Sequence, residues 1–396
     1  MKRVRRAGQP GGASDASRYD GVQHRILSAG GVILALVAAT AIMSLKLSAA
    51  DLFIYDTGLL AAMGAVALNM LMGTAGQISI GNAAFLGIGS FACVWFLGEG
   101  IGFPYDIVLA TITAGIAGLI VGIPALRLQG LYLALATLAA TYVVYFICNQ
   151  YQTDSVGAAS GFIVNPLFSS GTQSSQERDW AWLLTILLGC IVFIAASLSL
   201  GRSGRAWRLI RDHELVASAL GVNVPFYKLS VFVISSMIIG FEGAWTAYLI
   251  QVVTIDQISL TVAISYIAMI LIGGLDSILG ALIGAMLITV LPTAVTDTLP
   301  RFLGASYLAK VPQISEIIYG ALIIFFITRS PQGIVGWSRS IGSRLVSLNK
   351  RWGLARRLSS AGGGVALSSA EDVVSGAEAD DCESEPAIGR TPGPAH

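Results

Sequence analysis

Charge is scarce in this chain, and so are the groups that carry most protein chemistry. Only 12% of the 396 residues are Asp, Glu, Lys or Arg, against about 25% in soluble domains. The three histidines, His24, His213 and His396, stand far apart and outside the apolar stretches. Four cysteines are present, with no CxxC or Cys/His spacing, so neither a metal site nor a disulfide framework is expected. Cys93, Cys148 and Cys190 fall in apolar runs and read as small buried hydrophobes. Cys382 lies in a polar tail. A GxxxxGK-S/T motif is missing, so the chain cannot cradle nucleotide phosphates itself. Together these gaps speak against an enzyme, a bound cofactor, a metal site or a nucleic-acid partner.

What fills the chain instead is oil. It is 55% hydrophobic, with mean hydropathy +0.73. Crossing a ~30 Å hydrocarbon core takes about 20 apolar residues as helix, and such runs recur. The pattern predicts an all-α integral membrane protein of about ten transmembrane helices. Spans are expected near 26–45, 52–72, 82–98, 105–124, 130–148, 180–200, 229–250, 261–275, 277–292 and 313–328. The first run is full length and follows basic residues, which suits an uncleaved signal-anchor. Before it, residues 1–25 are polar and basic with much Gly and Ser, the composition of a disordered arm. The membrane part then extends over 26–338. Beyond it, 339–357 is basic without a single acid and could rest on anionic lipid. Residues 360–396 are acidic and rich in Gly, Ser, Ala and Pro, a composition that predicts disorder.

Parity sets the orientation. With the N-terminus inside, ten crossings put the C-terminus and the polar interval 201–228 inside as well. Twenty of the 24 Lys and Arg then face the cytoplasm, leaving Lys46, Arg178, Arg301 and Lys310 outside, as the positive-inside rule requires.

Two apolar segments are interrupted by glycine. Leu68–Ser90, LNMLMGTAGQISIGNAAFLGIGS, interleaves Gly73, Gly76 and Gly81 with Thr74, Gln77, Ser79 and Asn82, and Phe85 follows. Backbone that leaves a helix at membrane depth must be buried in protein or line a watery cavity. Ser79 or Asn82 could cap a half-helix whose positive end faces such a cavity, as transporters use to hold an anionic group. The other reading is that small residues let helices pack closely, and the two are compatible. A second cluster, Met269–Gly284, suggests a tight hairpin or broken pair around Gly273–Ser277. One interruption in each half hints at an internal repeat with a substrate path between its copies. Glu242 lies well inside its span, where a charge costs roughly 2.5–3.5 kcal/mol. It should face the protein interior or carry a proton, either lining the path or as a hydrogen-bonded structural carboxyl. Asp56 and Asp276 fall near span ends and need no special account.

The interval 201–228 is the long polar island of the middle chain. Arg202, Arg205, Arg208, Arg211 and Lys228 face only Asp212 and Glu214 there. From Gly204 to Gly221 the spacing predicts one amphipathic helix, with Ala206, Leu209, Ile210, Ala217 and Leu220 on its apolar face. Arg208, Arg211 and Ser218 stand opposite, with Glu214 at the border. Ser203 can cap the start, Gly221 suits a left-handed stop, and Pro225 forbids continuation. Such a helix lies on the membrane surface or docks in a partner's groove. Ordinary positive-inside residues on a loop would give the same charge pattern.

The run RLIRDHELVASALGVNVPFYKL (Arg208–Leu229) resembles the cytoplasmic loop of branched-chain amino acid ABC transporter permeases of the LivM type. Leu68–Gly89, RLQGLY (Arg127–Tyr132) with Thr137-Leu138, Ser265–Gly280 and RSPQGIVG (Arg329–Gly336) resemble further blocks of that family. The likeness covers about residues 60–340 and leaves the tails out. It departs at Asp276, where the family usually has glycine, at Ala281, where it often has proline, and at Glu242, in a stretch usually small and apolar.

The resemblance implies the permease subunit of an importer of branched-chain or related amino acids, with urea or short amides as other candidates. It would be a multi-pass protein of the plasma (inner) membrane with both termini cytoplasmic. Its partners would be two ATP-binding cassette subunits that use the ATP, a second homologous permease, an extracytoplasmic solute-binding protein and membrane lipid. The substrate path would run along Gly73, Gly76, Gln77, Ser79, Gly81, Asn82, Phe85 and Glu242. Coupling to the ATPase would run through Arg205, Arg208, Arg211, Glu214, Ala217, Leu220 and Gly221. The rival from another class is a stand-alone secondary transporter of a small polar solute, driven by an ion through Glu242 or Asp276. Orientation has its own test. A single cysteine at position 218 in a cysteine-free chain should react with a membrane-impermeant maleimide in inverted vesicles and stay unlabelled in intact cells; the opposite pattern refutes the topology.

Overall fold

The computed structural model describes residues 13–303 apart from 129, 158–159 and 168–172, together with 317, 320, 321 and 324. The expected tenth span at 313–328 and the tail at 339–396 lie outside the described residues, but for the scattered four. The chain is an all-α membrane protein whose described helices belong to one compact unit, residues 1–337. Among the described residues, six helices are long and apolar enough to cross a membrane, and there are three shorter apolar helical stretches besides.

The helices follow the apolar runs. α1 (Ala13–Lys46) and α2 (Ala49–Asn69) are joined at Ser48, whose hydroxyl accepts from the Asp51 N–H at 3.4 Å, and both pack on the later helix 173–200. α2 then loosens into a π-turn, Met70–Thr74, and the chain runs irregularly to α3 (Asn82–Gly98). α4 (Tyr105–Ala125) and α5 (Leu131–Ser155) come next, then α6 (Gln173–Leu200). Two short helices, α7 (Arg202–Asp212) and α8 (Glu214–Ala219), make up the polar island. α9 (Val224–Ile250), α10 (Leu260–Gly273) and α11 (Ile278–Leu303) complete the described chain. Residues 162–163 and 252–253 pair antiparallel, Phe162 opposite Val253, and tie the loop after α5 to the segment after α9.

Two sequence expectations change here. Residues 13–25, expected within a disordered arm, continue α1 as helix. Ala13, Ala16, Arg18 and their neighbours contain no proline, and a helix already nucleated by an apolar span extends cheaply through such residues. The island is also not one helix, because His213 takes φ −151° and ψ 89° and separates α7 from α8.

α9 is the hub, packed on α2, α3 and α4. Glycine makes that possible. A Cβ on Gly89 of α3 would sit 2.0 Å from the Gly240 carbonyl of α9, and one on Gly243 would sit 2.1 Å from the Leu86 carbonyl. On α4, Gly115, Gly118 and Gly122 receive Met237, Ser236 and Leu229 of α9 in the same manner. Without water to drive helices together, close van der Waals approach of small residues is what joins them. The outward faces of α4 and α5 stay apolar and exposed, Ile116, Ile120, Leu135 and Phe146 among them.

Replacing Gly243 by leucine should therefore be severe, because overpacking a tight contact costs about 1–3 kcal/mol or more. Gly98→Ala, at the end of α3 where nothing lies within 4 Å, should be harmless or slightly stabilising. Thermal unfolding of the two detergent-purified variants checks this; a Gly243→Leu protein as stable as the Gly98→Ala one contradicts the packing.

Candidate functional site

The two glycine-rich interruptions, read from sequence as a hint of an internal repeat, meet at the end of the bundle that carries the island. Asn69 is the first contact. Its Oδ1 accepts the Asp276 N–H at 3.0 Å, joining the end of α2 to the α10–α11 hairpin. A Cβ on Gly73 would lie 2.5 Å from both that oxygen and the Asp276 nitrogen. Gly73 is thus glycine for room. Gly76 is glycine for conformation as well, with φ +70°. Inside the hairpin, Gly273 and Gly280 press backbone to backbone, and the turn is completed by Gly274 at φ +115° and Asp276 at φ +62°. The tight hairpin expected around Gly273–Ser277 is what forms.

The loop after the π-turn is held by side chains. The Gln77 amide donates to the Lys228 carbonyl at 3.2 Å. Ser79 Oγ accepts the Gly81 N–H at 3.2 Å, while Thr137 Oγ1 of α5 accepts the Ile80 N–H at 3.0 Å. The position before α3 is therefore Gly81, without a side-chain cap. The capping expected of Ser79 or Asn82 is replaced by this local turn, which uses the serine two positions before the cap. Asn82, the first residue of α3, is 2% exposed, and neither of its amide atoms has a polar partner among the described residues. Phe85, a turn later, packs edge-on against Phe232 at 5.7 Å.

α7 lies against the end of α6 through Gly204, where a Cβ would meet the Ser199 carbonyl at 2.0 Å. Ser203, expected to cap α7, instead donates to the Leu198 carbonyl at 3.1 Å. Ala206, Trp207 and Ile210 are buried, and Ile210, Ala217 and Val224 form a small apolar cluster of their own. Trp207 was not singled out by periodicity. Its Nε1 donates to the Tyr227 carbonyl at 3.0 Å, which seats α7 on the start of α9. Gly221 ends α8 in the left-handed region at φ +82°, and Asn223 caps α9, accepting the Phe226 N–H at 3.3 Å. Leu220 leaves the expected apolar face and is 69% exposed. The break at His213 turns α8 out of phase with α7, so Leu215, Val216 and Leu220 all point outward.

The island's charges split in two directions. Arg205 is exposed, its Nη1 donating to the Leu200 carbonyl at 3.4 Å, and Arg208 is half-buried. Lys228 Nζ donates to Glu214 Oε2 at 2.7 Å. Arg211 reaches inward instead, donating to the Gly73 carbonyl. Gly76, Gln77, Arg211, Glu214 and Lys228 line a cavity of about 140 Å³ whose apolar walls include Leu133, Ile210 and Phe232. Glu242 is not part of it. That carboxyl sits deeper, buried against Gly64 of α2, and accepts a hydrogen bond from the Tyr266 hydroxyl.

These blocks match a known family. The family described as branched-chain amino acid transport system / permease component matches residues 52–327. The chain belongs to that family. Its relatives include the high-affinity branched-chain amino acid transport system permease protein LivM of Salmonella typhimurium, 25% identical over 297 residues, which cover 69% of this chain and 67% of that one. The probable branched-chain amino acid transport permease protein LivM of Methanocaldococcus jannaschii is 23% identical over 239 residues, 58% of this chain and 68% of its own. LivH of Salmonella typhimurium, named as a permease of a high-affinity branched-chain amino acid transport system, is 25% identical over 169 residues, 43% of this chain and half of its own. No solved structure matches the chain.

The Glu242–Tyr266 pair yields a stability test. Tyr266→Phe leaves the buried carboxyl without its donor and should cost about 1–3 kcal/mol. Adding Glu242→Met should recover most of that loss, since removing both partners is close to neutral. Thermal denaturation decides; a double variant no more stable than the single one contradicts a structural pair.

Proposed function

We propose that this permease moves branched-chain or related amino acids inward across the plasma (inner) membrane, driven by ATP hydrolysed on partner subunits. The observation that carries the reading is the island itself. α7 and α8 present basic and apolar side chains outward, Arg205, Leu215, Val216 and Leu220, while the same element is fixed to both glycine-broken segments behind it. An exposed face of this chemistry suits a partner's groove. Two ATP-binding cassette subunits dock there, one on this chain and one on a second homologous permease, and an extracytoplasmic solute-binding protein delivers the solute. The N- and C-termini lie in the cytoplasm.

In this mechanism the chain binds and positions; it performs no covalent step. Closure of the ATPases displaces α7–α8, and the loop 75–81 with the start of α3 shifts between two arrangements. Ser79, Asn82 and Phe85 then meet the solute. The unpartnered Asn82 amide at the positive end of α3 supports a role in holding the carboxylate of an amino acid. Gly73, Gly76 and Gly81 supply the close approaches that let the loop move past its neighbours.

Proteoliposomes carrying the full set of subunits should accumulate leucine, isoleucine or valine when ATP is supplied, and the permease alone should accumulate none under a proton or sodium gradient. Gradient-driven uptake by the lone chain would identify a secondary transporter and end this reading.

A further inference from the structure

Arg211 belongs by sequence to the outward, docking side of the island, yet its guanidinium turns into the bundle. One nitrogen donates to the Gly73 carbonyl and stands 3.7 Å from Asp276 Oδ2. Another lies 3.1 Å from Asp212 Oδ1 of its own helix. Its aliphatic stem packs on Gly76, where a Cβ would fall 2.5 Å from Arg211 Cγ. Asp276 in turn donates its N–H to Asn69. Three distant stretches of chain, 69–76, 211–212 and 276, thus close one joint. Gly76 and Asp276 both have positive φ, and Asp276, as a non-glycine residue, pays a conformational cost to be there. Aspartate tolerates that region better than most, but a glycine would occupy it freely. A carboxylate is kept at this position against the backbone preference.

We infer that Arg211 is a positioning residue that carries displacement of α7–α8 to both glycine-broken segments at once, with Asp276 as its ion-pair partner on the second. The inference rests on the permease reading above. Arg211 and Asp276 side chains are 31% and 44% exposed, so the ion pair alone is weak. What makes the joint effective is geometry. One guanidinium nitrogen donates to the Gly73 carbonyl and stands within ion-pair distance of the Asp276 carboxylate, while a second is held by Asp212, an arrangement that a lysine ammonium with its single nitrogen cannot reproduce. Among the described residues Arg205 and Arg208 have no such contact with the broken segments, and they remain for docking.

The test uses the complete complex in proteoliposomes, with uptake, ATP hydrolysis and co-purification of the ATPase subunits measured together. Arg211→Gln, Arg211→Lys and Asp276→Gly should each keep the ATPase subunits bound while uptake per ATP hydrolysed falls roughly tenfold, within the usual range of coupling between sites. Asp276→Gly relieves the positive φ, so a loss there is not a folding defect, and thermal stability of the variant confirms it. The double variant Arg211→Gln with Asp276→Gly should be no worse than Arg211→Gln alone, because residues sharing one joint are not additive. Losses that multiply, or an Arg211→Lys protein that transports like the unaltered chain, overturn the inference. So does an Arg211→Gln protein that sheds its ATPase subunits, since that outcome makes Arg211 a docking residue. Failure of the unaltered chain to bind any ATPase subunit would instead defeat the permease reading itself.

Discussion

Backbone that leaves a helix inside an apolar bundle must find its hydrogen-bond partners within the protein, because lipid offers none. This chain leaves the helix twice at the same end, after Asn69 and after Gly273, and groups freed there are satisfied by the other break or by the island. The Asp276 N–H is satisfied by Asn69, and the Gly73 carbonyl by Arg211. Removing either glycine cluster would do more than loosen a contact. It would leave polar backbone unpaired in a place where an unpaired group is expensive. The rest of the inner architecture follows from this mutual satisfaction.

The contrast with the far end is instructive. There Asp106, in the first turn of α4, accepts from the Tyr248 hydroxyl at 2.6 Å and from the Cys93 thiol at 3.3 Å, inside an aromatic group formed by Phe103, Trp245 and Tyr248. That end is held by packed rings and a fully buried carboxylate. The inner end is held by backbone, glycine and partly exposed charge. Buried aromatic packing resists rearrangement, whereas a joint of glycine and exposed ions has little to lose when it shifts. A gate is more easily built from the second kind of structure than from the first.

Much of this was legible in the residues. Helices occur at each of the first nine spans expected from apolar runs, with 82–98 matched by α3 to the residue, because length and hydropathy alone decide what can lie in a membrane. Both glycine clusters announced their breaks. Less visible was anything that depends on which way a side chain points. The break at His213 lies in Asp-His-Glu, without Gly or Pro to mark it, so the island read as one helix and Leu220 was set on the wrong face. Arg211 looked like another surface cation, since periodicity places it opposite Ala206 and Ile210 and cannot show a neighbour 65 residues away. Asp276 stood out in the sequence only as a departure from the family's usual glycine and as an ion-coupling candidate in the rival reading, not as a partner of Arg211. Its meaning comes from a positive φ and two partners, neither of which a sequence displays. The disposition of Glu242 was open between two readings; it lies apart from the cavity, paired with Tyr266.

The central claim is that the island and the two broken segments move as one piece. The distance between spin labels at positions 218 on α8 and 279 at the start of α11, compared in the assembled transporter without nucleotide and trapped with an ATP analogue, measures it most directly. The account predicts that this distance holds constant while the distance from either label to one at position 98, at the end of α3, changes. A distance between 218 and 279 that changes with nucleotide, with 98 following neither, would contradict it.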